Sequence, residues 1–227
     1  MKTNSEIRAV AREELKGNWT NPVLATLIYV AIISGISTIT NTGTILNYPS
    51  VKFSLMGGLL NFFVQIPLAL AFAVALLLFI RGDKQNVINN MFKIFANYGR
   101  TLSVSLLTAI FTFLWTLLLI IPGIIKGYAY AMTYYIAQDN PELGADECIN
   151  KSMALMNGHK MDLFLLDLSF IGWLLLSVLS CGIGLLWVMP YIQTSHAIFY
   201  QELITMNGED IPTNEEYVSK DDEPIAQ

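Results

Sequence analysis

Charged residues are scarce in this sequence of 227 residues, where Asp, Glu, Lys and Arg together account for 14% of the positions. In a typical soluble domain about a quarter of the residues are charged. So little charge excludes a disordered chain, and 13 basic against 18 acidic residues exclude a nucleic-acid-binding protein, which needs a basic excess. The composition predicts a membrane protein, in which apolar segments take the place of charged surface.

Cysteine and histidine are also rare, with two residues of each. Cys148 and Cys181 belong to no C-x-x-C motif, and His159 and His196 to no H-E-x-x-H motif, so no metal or redox site is indicated. The G-x-S-x-G, Walker and G-x-G-x-x-G motifs are missing too, which leaves hydrolase, ATPase and dinucleotide-binding functions without their minimum parts. We expect no catalytic residues, no cofactor and no metal ligands.

Long runs with little or no charge are what the sequence has instead. A helix that crosses a bilayer needs about 20 apolar residues, because each residue adds roughly 1.5 Å to a path of about 30 Å. Lipid offers the backbone no hydrogen bonds, so such runs are expected to be helices and the fold class all-α. Five runs have the required length: Pro22–Thr40, Gly58–Ile80, Thr101–Ile121, Met161–Leu179 and Ile183–Leu203.

The segment 122–140 decides between five and six spans. Either the third span ends there, or Pro122 and Gly123 form a tight turn and residues 124–138 return as a short fourth span. Cytoplasmic loops are enriched in Lys and Arg; six spans place eleven of the 13 basic residues on one side, whereas five spans place eight there. The charges favour six transmembrane helices in three hairpins, with both termini on the cytoplasmic side of the plasma membrane.

Three amphipathic segments, one before each predicted hairpin, are expected to form interfacial helices on the cytoplasmic face: Asn4–Leu15, Lys84–Tyr98 and Pro141–Met156. Thr3 and Glu6 resemble a capping box before the first, whereas Asn140 is expected to cap the third, with Pro141 in its first position. Each segment ends at a glycine, the favoured residue after a helix C-terminus: Gly17, Gly99 and Gly158.

The recurrence of interfacial helix, glycine and hairpin predicts a single membrane domain, 1–204, built from three units at about 4–81, 82–139 and 140–204. The alternative is that such segments alternate with spans as they do in any polytopic protein, without an internal duplication. From Met206 onward the chain has seven acidic residues and one lysine, which predicts a disordered cytoplasmic tail at 205–227.

Two polar residues lie inside predicted spans at similar depth. Asp167 is roughly 10 Å from the cytoplasmic end of the fifth span, and His196 roughly 12 Å from the same side in the sixth. Because consecutive spans are antiparallel, we expect the two side chains to approach each other. A carboxylate inside a membrane is costly and indicates a functional site, proton-sensitive or facing a substrate. The alternatives are a clasp between two helices, or an Asp167 that is protonated or reached by water.

The chain also resembles a known family through a set of short motifs. Its candidate structural motif consists of Pro122, Gly123, Gly158, Trp173, Pro190 and Tyr191, within Ile121–Lys126, Ser152–Lys160, Leu168–Trp173 and Pro190–Leu203. These pieces are similar to an uncharacterised bacterial integral-membrane family, domain of unknown function nine-seven-five. A weaker likeness is to the membrane region attached to some glycerophosphodiester phosphodiesterases. The first resemblance implies a multi-span cytoplasmic-membrane protein without an established activity, and it assigns no catalytic residues.

Three functions are compatible with these features. The small number of polar residues favours a non-enzymatic membrane module whose partners are the lipid bilayer and another membrane protein, with no nucleic acid. A small transporter or permease is the alternative, suggested by the repeats, by Pro190 and by the pair of Asp167 and His196, and it needs a continuous polar path. An enzyme that acts on lipid comes third, because it lacks a nucleophile–base pair.

Overall fold

The computed structural model describes the backbone of residues 1–45, 51–209 and 211, and the side chains of those residues outside 39–62, 94 and 96. Within this part of the chain the fold is all-helical, as expected, with no strand and a 3₁₀ turn at Ile94–Asn97. The α-helices are α1 (Asn4–Leu15), α2 (Thr20–Ile45), α3 (Val51–Ile80), α4 (Val87–Lys93), α5 (Tyr98–Leu118), α6 (Ile120–Ala129), α7 (Thr133–Asp139), α8 (Ala145–Leu155), α9 (Lys160–Leu168), α10 (Ile171–Leu179) and α11 (Leu185–Met206).

Four helical segments of the described residues are long and apolar enough to cross a membrane: Thr20–Thr38, Phe63–Ile80, Tyr98–Leu118 and Lys160–Leu179. They coincide with the predicted spans one, two, three and five. The predicted fourth and sixth spans, which correspond to α6 with α7 and to α11, are not among the four. The six-span count therefore stays a prediction.

The centre of the bundle is formed by α3 and α11, which pack against each other and against α2. Their buried side chains are large and apolar, and include Leu76, Phe79, Phe199 and Leu203. Lipid is as apolar as these side chains, so inside a bilayer it is close packing, rather than transfer from water, that holds such a core together. This core fixes the position of α11, which carries His196.

The first helix packs along α11 instead of standing apart from the bundle. Its predicted bounds and capping box are confirmed, since the Thr3 N–H donates to Glu6 at 2.7 Å and the Glu6 N–H to the Thr3 hydroxyl at 3.4 Å. Lys2 pairs with Glu202, and the hydroxyl of Tyr191 donates to the Arg8 carbonyl at 3.1 Å. The two helices are therefore antiparallel, and the apolar face of α1 is buried between them.

The expected turn at Pro122 and Gly123 is wrong by three residues. The chain reverses at Leu119, whose φ of −159° and ψ of 135° are extended, and both Pro122 and Gly123 lie in the first turn of α6. A proline there costs no hydrogen bond, because the first N–H groups of a helix have no acceptor within it. The predicted single helix at 124–138 is also wrong, since α6 ends at Ala129 and α7 begins at Thr133.

Two of the predicted interfacial segments differ in their bounds. The segment expected at Lys84–Tyr98 forms α4 and the 3₁₀ turn, and Gly99 does not end it, because the backbone continues helically through Tyr98 into α5. The third begins at Ala145, not Pro141. Asn140 ends α7 instead of capping α8, because its side-chain amide donates to the Ile136 carbonyl at 2.9 Å.

Several predicted stops are present where expected. Gly17 and Gly158 have φ values of +80° and +88°, the left-handed conformation that follows a helix C-terminus. A second reversal lies at Cys181 and Gly182, with φ of 56° and 85°, between α10 and α11. Of the predicted tail, residues 210 and 212–227 lie outside the described part, and Glu209 pairs with Lys151 at 2.9 Å.

Candidate intramembrane polar site

Asp167 and His196 are in direct contact. The Nε2 atom of His196, in the middle of α11, lies 2.6 Å from Oδ1 of Asp167, in the last turn of α9. The His196 side chain is 22% exposed and the Asp167 side chain 32% exposed in the isolated chain. The pair therefore lies at the edge of the bundle and not in its core. The approach that equal depth in neighbouring spans predicts is therefore confirmed.

A third residue, Tyr128, completes the cluster and was not anticipated from the sequence. Its hydroxyl, in the last turn of α6, donates to Oδ2 of Asp167 at 3.0 Å, so both carboxylate oxygens have a partner. The Tyr128 ring packs edge-on against Phe164 of α9, with centroids 5.8 Å apart. The only sequence signal for it is the tyrosine-rich stretch that also contains Tyr130, Tyr134 and Tyr135, which is typical of a helix in contact with the membrane interface.

The cluster borders an open cavity of about 430 Å³ between α5, α6, α9 and α11. Most of the remaining wall is apolar or small, and the lining residues are Thr112, Thr116, Gly123, Ile124, Gly127, Tyr128, Ala131, Leu163, Asp167 and His196. The hydroxyls of Thr112 and Thr116 donate to backbone carbonyls of their own helix at 2.8 Å. The groups that can form hydrogen bonds with a ligand in the cavity are thus mainly those of Tyr128, Asp167 and His196.

Gly123 allows α6 to lie close enough to α5 to place Tyr128. A Cβ atom on Gly123 would lie 2.6 Å from both Cα and Oγ1 of Thr116, closer than any such contact in a folded protein. Gly127, one turn further along α6, faces Thr112 with more space, at 3.9 Å from its Cγ2. The two helices are therefore packed more closely at Gly123 than at Gly127.

The geometry allows the cluster to hold a proton between a carboxylate and an imidazole. The contact between Nε2 and Oδ1 is short, at 2.6 Å, and the Tyr128 hydroxyl donates to the other oxygen of the same carboxylate. Tyr128 and Asp167 each lie two residues before the start of a helix break, at Tyr130–Met132 and Ser169–Phe170 respectively. Polar side chains at interrupted helices are a common way to build a binding site inside a membrane.

A known protein family matches nearly the whole chain. The family model described as "Protein of unknown function (DUF975)" matches residues 1–126 and 116–207. The chain belongs to this DUF975 family. No curated protein and no solved structure matches it. Among the residues that the structure describes, no group of three or more His, Cys, Asp or Glu side chains is arranged to hold a metal ion.

The other motif residues of this DUF975 member lie away from the cavity, Gly123 being the exception. Gly158 follows α8, and Trp173 in α10 is 45% exposed, on the outer surface of the bundle. Pro190 and Tyr191 are buried in α11, where Tyr191 binds α1. The contact with α1 holds the Tyr191 side chain, and the left-handed conformation of Gly158 suits a glycine.

A second polar cluster in this family member was not found from the sequence. Arg81, after α3, binds both oxygens of Asp139 at the end of α7 with two distances of 2.8 Å, and the Tyr200 hydroxyl donates to Asp139 at 2.7 Å. The Arg81 and Asp139 side chains are 2% and 5% exposed. Tyr135 stacks on Tyr200, with centroids 5.2 Å apart. This cluster joins the ends of α3 and α7 to α11.

Proposed function

We propose that the chain crosses the cytoplasmic membrane six times, with both termini in the cytoplasm. The contact of Arg81 with Asp139 supports this topology, because the two residues follow the predicted second and fourth spans. In a five-span arrangement they would face opposite sides of the bilayer. The pair Lys2–Glu202 likewise brings the N-terminal segment to the end of the predicted sixth span. The pair Lys84–Glu14 brings the same segment to the loop after the second span.

A reporter fused after Asn150 tests this topology. A cytoplasmic signal is the expected result, and an extracellular signal would rule out the six-span arrangement. A fusion within 46–50, the predicted loop between the first two spans, provides the matched control with the opposite signal.

We propose that the protein is a non-enzymatic membrane module that binds an amphiphilic component of the bilayer in the cavity beside Asp167. The observation that carries this proposal is the combination of an open volume of about 430 Å³ with one polar cluster at its wall. This volume lies in the range of ordinary ligand sites, about 300–1,000 Å³. Ile124, Ala131 and Leu163 offer contacts to an apolar chain, and the cluster offers hydrogen bonds to its polar end.

The proposal that the module is not an enzyme is supported by the engagement of its hydroxyl groups. Those of Thr112 and Thr116 donate to carbonyls of their own helix, and that of Tyr128 donates to Asp167. None of these three hydroxyls donates to His196, as a nucleophile activated by a histidine base would. The Nε2 atom of His196 contacts the Asp167 carboxylate instead.

A transporter is the second candidate, and the helix breaks beside Tyr128 and Asp167 favour it. Transporters place substrate sites at such interrupted helices. Against it stands the apolar packing of α3 and α11, where Phe79 and Phe199 are fully buried. A substrate path through this core would have to displace them, so we favour binding over transport.

Photolabelling tests the binding proposal. Phosphatidylethanolamine with a diazirine in its acyl chain should label peptides of α6 and α9 in the full chain reconstituted into vesicles. Ala131→Leu, which fills the cavity, should reduce this labelling, whereas Ala154→Leu, at an exposed position of α8, should leave it unchanged. Equal labelling of both variants would refute the cavity as the binding site.

A further inference from the structure

The cavity beside Asp167 has an acidic wall. Among the described residues that line it, Asp167 carries the one carboxylate, and none is a lysine or an arginine. Lys126 of α6 is not in the lining, and its Nζ atom lies 5.0 Å from the ring centroid of Trp115 and 3.7 Å from Sδ of Met153. An anionic ligand would meet the carboxylate with the imidazole of His196 as its one basic partner, and that imidazole already contacts Asp167.

The hydroxyl groups in the lining have no proton left to offer a ligand, because each hydroxyl has one O–H donor. Those of Thr112 and Thr116 donate to carbonyls of their own helix, both at 2.8 Å. That of Tyr128 donates to Asp167 at 3.0 Å. These groups present oxygen lone pairs to the cavity, and each carboxylate oxygen can accept a further hydrogen bond. The cavity therefore suits a ligand whose polar end donates hydrogen bonds.

An ammonium group matches both the charge and the hydrogen-bonding pattern of this wall. It has N–H donors and no acceptor. Its charge compensates the carboxylate of Asp167, whose position inside a membrane is otherwise costly. A hydrogen bond between an ammonium and a carboxylate is also stronger than one between neutral groups. A ligand hydroxyl would supply the donor without the charge.

The shape of the cavity indicates what the ammonium is attached to. On α6 the lining runs from Gly123 to Tyr128, so the cavity extends roughly 8 Å along the helix axis. Tyr128 marks its polar end, whereas Ile124 near the other end is 51% exposed. Leu117 and Ile121, on either side of the reversal between α5 and α6, are each 73% exposed. In the proposed topology these side chains face lipid, so a ligand can enter from the bilayer and lay an apolar chain along this wall.

We propose that the ligand of this cavity is a lipophilic amine, whose single ammonium group binds Asp167 and whose apolar chain lies along α6. This inference rests on the function proposed for the cavity and adds the chemical class of the ligand. The ammonium donates to the carboxylate and to the Tyr128 oxygen, and the chain contacts Ile124 and Leu163. Asp167 lies roughly 10 Å from the cytoplasmic end of the predicted fifth span, whereas Ile124 follows the reversal on the other side. The chain therefore points away from the cytoplasm.

Photolabelling with dodecylamine, dodecanol and dodecanoic acid, each with a diazirine in its chain, tests the ligand class. The full chain is reconstituted into vesicles of phosphatidylcholine, whose ammonium has no N–H to donate. The amine should label peptides of α6 and α9 half-maximally at a concentration about tenfold lower than the alcohol, because hydrogen bonds to charged groups are stronger. The acid should label no better than the alcohol. Equal half-maximal concentrations of amine and alcohol, or a lower one for the acid, would overturn the proposal.

Two aspartate variants separate this site from attraction by net charge. Asp167→Asn removes the carboxylate and should abolish the difference between amine and alcohol. Asp162→Asn is the matched control, because it removes the same charge from the same helix, where Asp162 contacts His159 at 3.2 Å outside the cavity lining. The control should keep the difference. Equal losses in the two variants would overturn the proposal, because they would show attraction by net charge alone.

Asp167→Glu guards against a loss that comes from misfolding. It keeps the charge and should restore part of the preference for the amine that Asp167→Asn loses, with the melting temperatures of both variants measured in parallel. A folded Asp167→Glu without any preference would overturn the proposal. The comparison of amine with alcohol in the unchanged protein decides the question where neither variant folds.

Two further comparisons identify the source of the ammonium and separate this inference from the function proposed for the cavity. Ethylamine has the ammonium without a chain and should not displace the amine probe; displacement that depends on Asp167 would assign the site to a water-soluble cation and overturn the lipophilic ligand. If Ala131→Leu reduces labelling by phosphatidylethanolamine while amine and alcohol label alike, the cavity binds an amphiphile and the amine alone is wrong. If Ala131→Leu changes the labelling by none of the probes, both proposals are wrong.

Discussion

Gly123 of α6 lies directly against the backbone of Thr116 in α5. A Cβ atom at Gly123 would lie 2.6 Å from the Cα and 2.9 Å from the backbone nitrogen of Thr116, so no side chain fits between the two helices. Because α6 carries Tyr128 to Asp167, this contact also sets the position of the polar cluster. The candidate structural motif thus contains one residue, Gly123, whose lack of a side chain the packing of these helices requires.

Gly123→Ala should lower the stability of the protein by about 1–3 kcal/mol, because the helices must separate to admit the methyl group. Gly127→Ala provides the matched control on the same helix, where the added atom would lie 3.9 Å from Thr112. The control should be neutral or stabilising by up to about 1 kcal/mol, since alanine favours a helix over glycine. Thermal unfolding in detergent measures both, and equal melting temperatures would contradict the close packing.

The ends of α6 and α9 show why some helix boundaries could not be predicted from the sequence. The carbonyl of Ala129 at the end of α6 accepts from the Ser152 hydroxyl at 2.9 Å, and that of Ser169 accepts from Arg8 at 3.3 Å. These donors come from positions 23 and 161 residues away. A helix can stop inside an apolar run where a distant side chain satisfies its carbonyl, and neither proline nor glycine marks such a stop.

Local signals, by contrast, predicted what depends on neighbours in sequence. The capping box of Thr3 and Glu6 predicted the start of α1, and Gly17 its end. Counting residues along spans was enough to bring Asp167 to His196. Tyr128 and the cluster of Arg81 with Asp139 were missed, because they depend on where short helices end in space.

Breaking the buried pair of Arg81 and Asp139 should be the most damaging single change in the described core. Asp139→Leu or Arg81→Met leaves one buried charge without its partner and should cost about 3–5 kcal/mol of stability. The double variant Arg81→Met with Asp139→Leu should recover much of this loss, because no charge stays buried. Thermal unfolding of the single and double variants measures these stability losses. If the loss in the double variant equals the sum of the two single losses, the residues are not a coupled pair.

Tyr200→Phe tests the third member of that cluster. It removes the hydroxyl that donates to Asp139 at 2.7 Å while keeping the ring that stacks on Tyr135. We expect a loss of about 1–3 kcal/mol, the effect of one hydrogen bond to a buried charged group. Tyr191→Phe removes a hydroxyl that donates to a backbone carbonyl, and should cost less in the same measurement.

The start of α1 should lose stability in acid. Hydrogen bonds from the Thr3 backbone and hydroxyl hold the pKa of Glu6 below its usual 4.5. A carboxyl with a lowered pKa contributes stability that is complete above pH 4.5 and is lost as the pH falls through the lower, folded value. Amide hydrogen exchange in the first turn of α1 should therefore accelerate below pH 4.5, and Glu6→Gln should show little of this dependence.

The contact of Asp167 with His196 should appear as coupling between the two positions. Asp167→Asn and His196→Gln each weaken it, and the cycle with the double variant should give a coupling of about 0.5–2 kcal/mol, the range for polar contacts between membrane helices. Tyr128→Phe should lower the effect of Asp167→Asn, because it removes the second donor to the same carboxylate.

If the variants unfold normally but lose lipid photolabelling, the cluster serves binding. If labelling persists in folded variants whose melting temperature falls, the cluster joins helices, and the function proposed for the cavity is wrong.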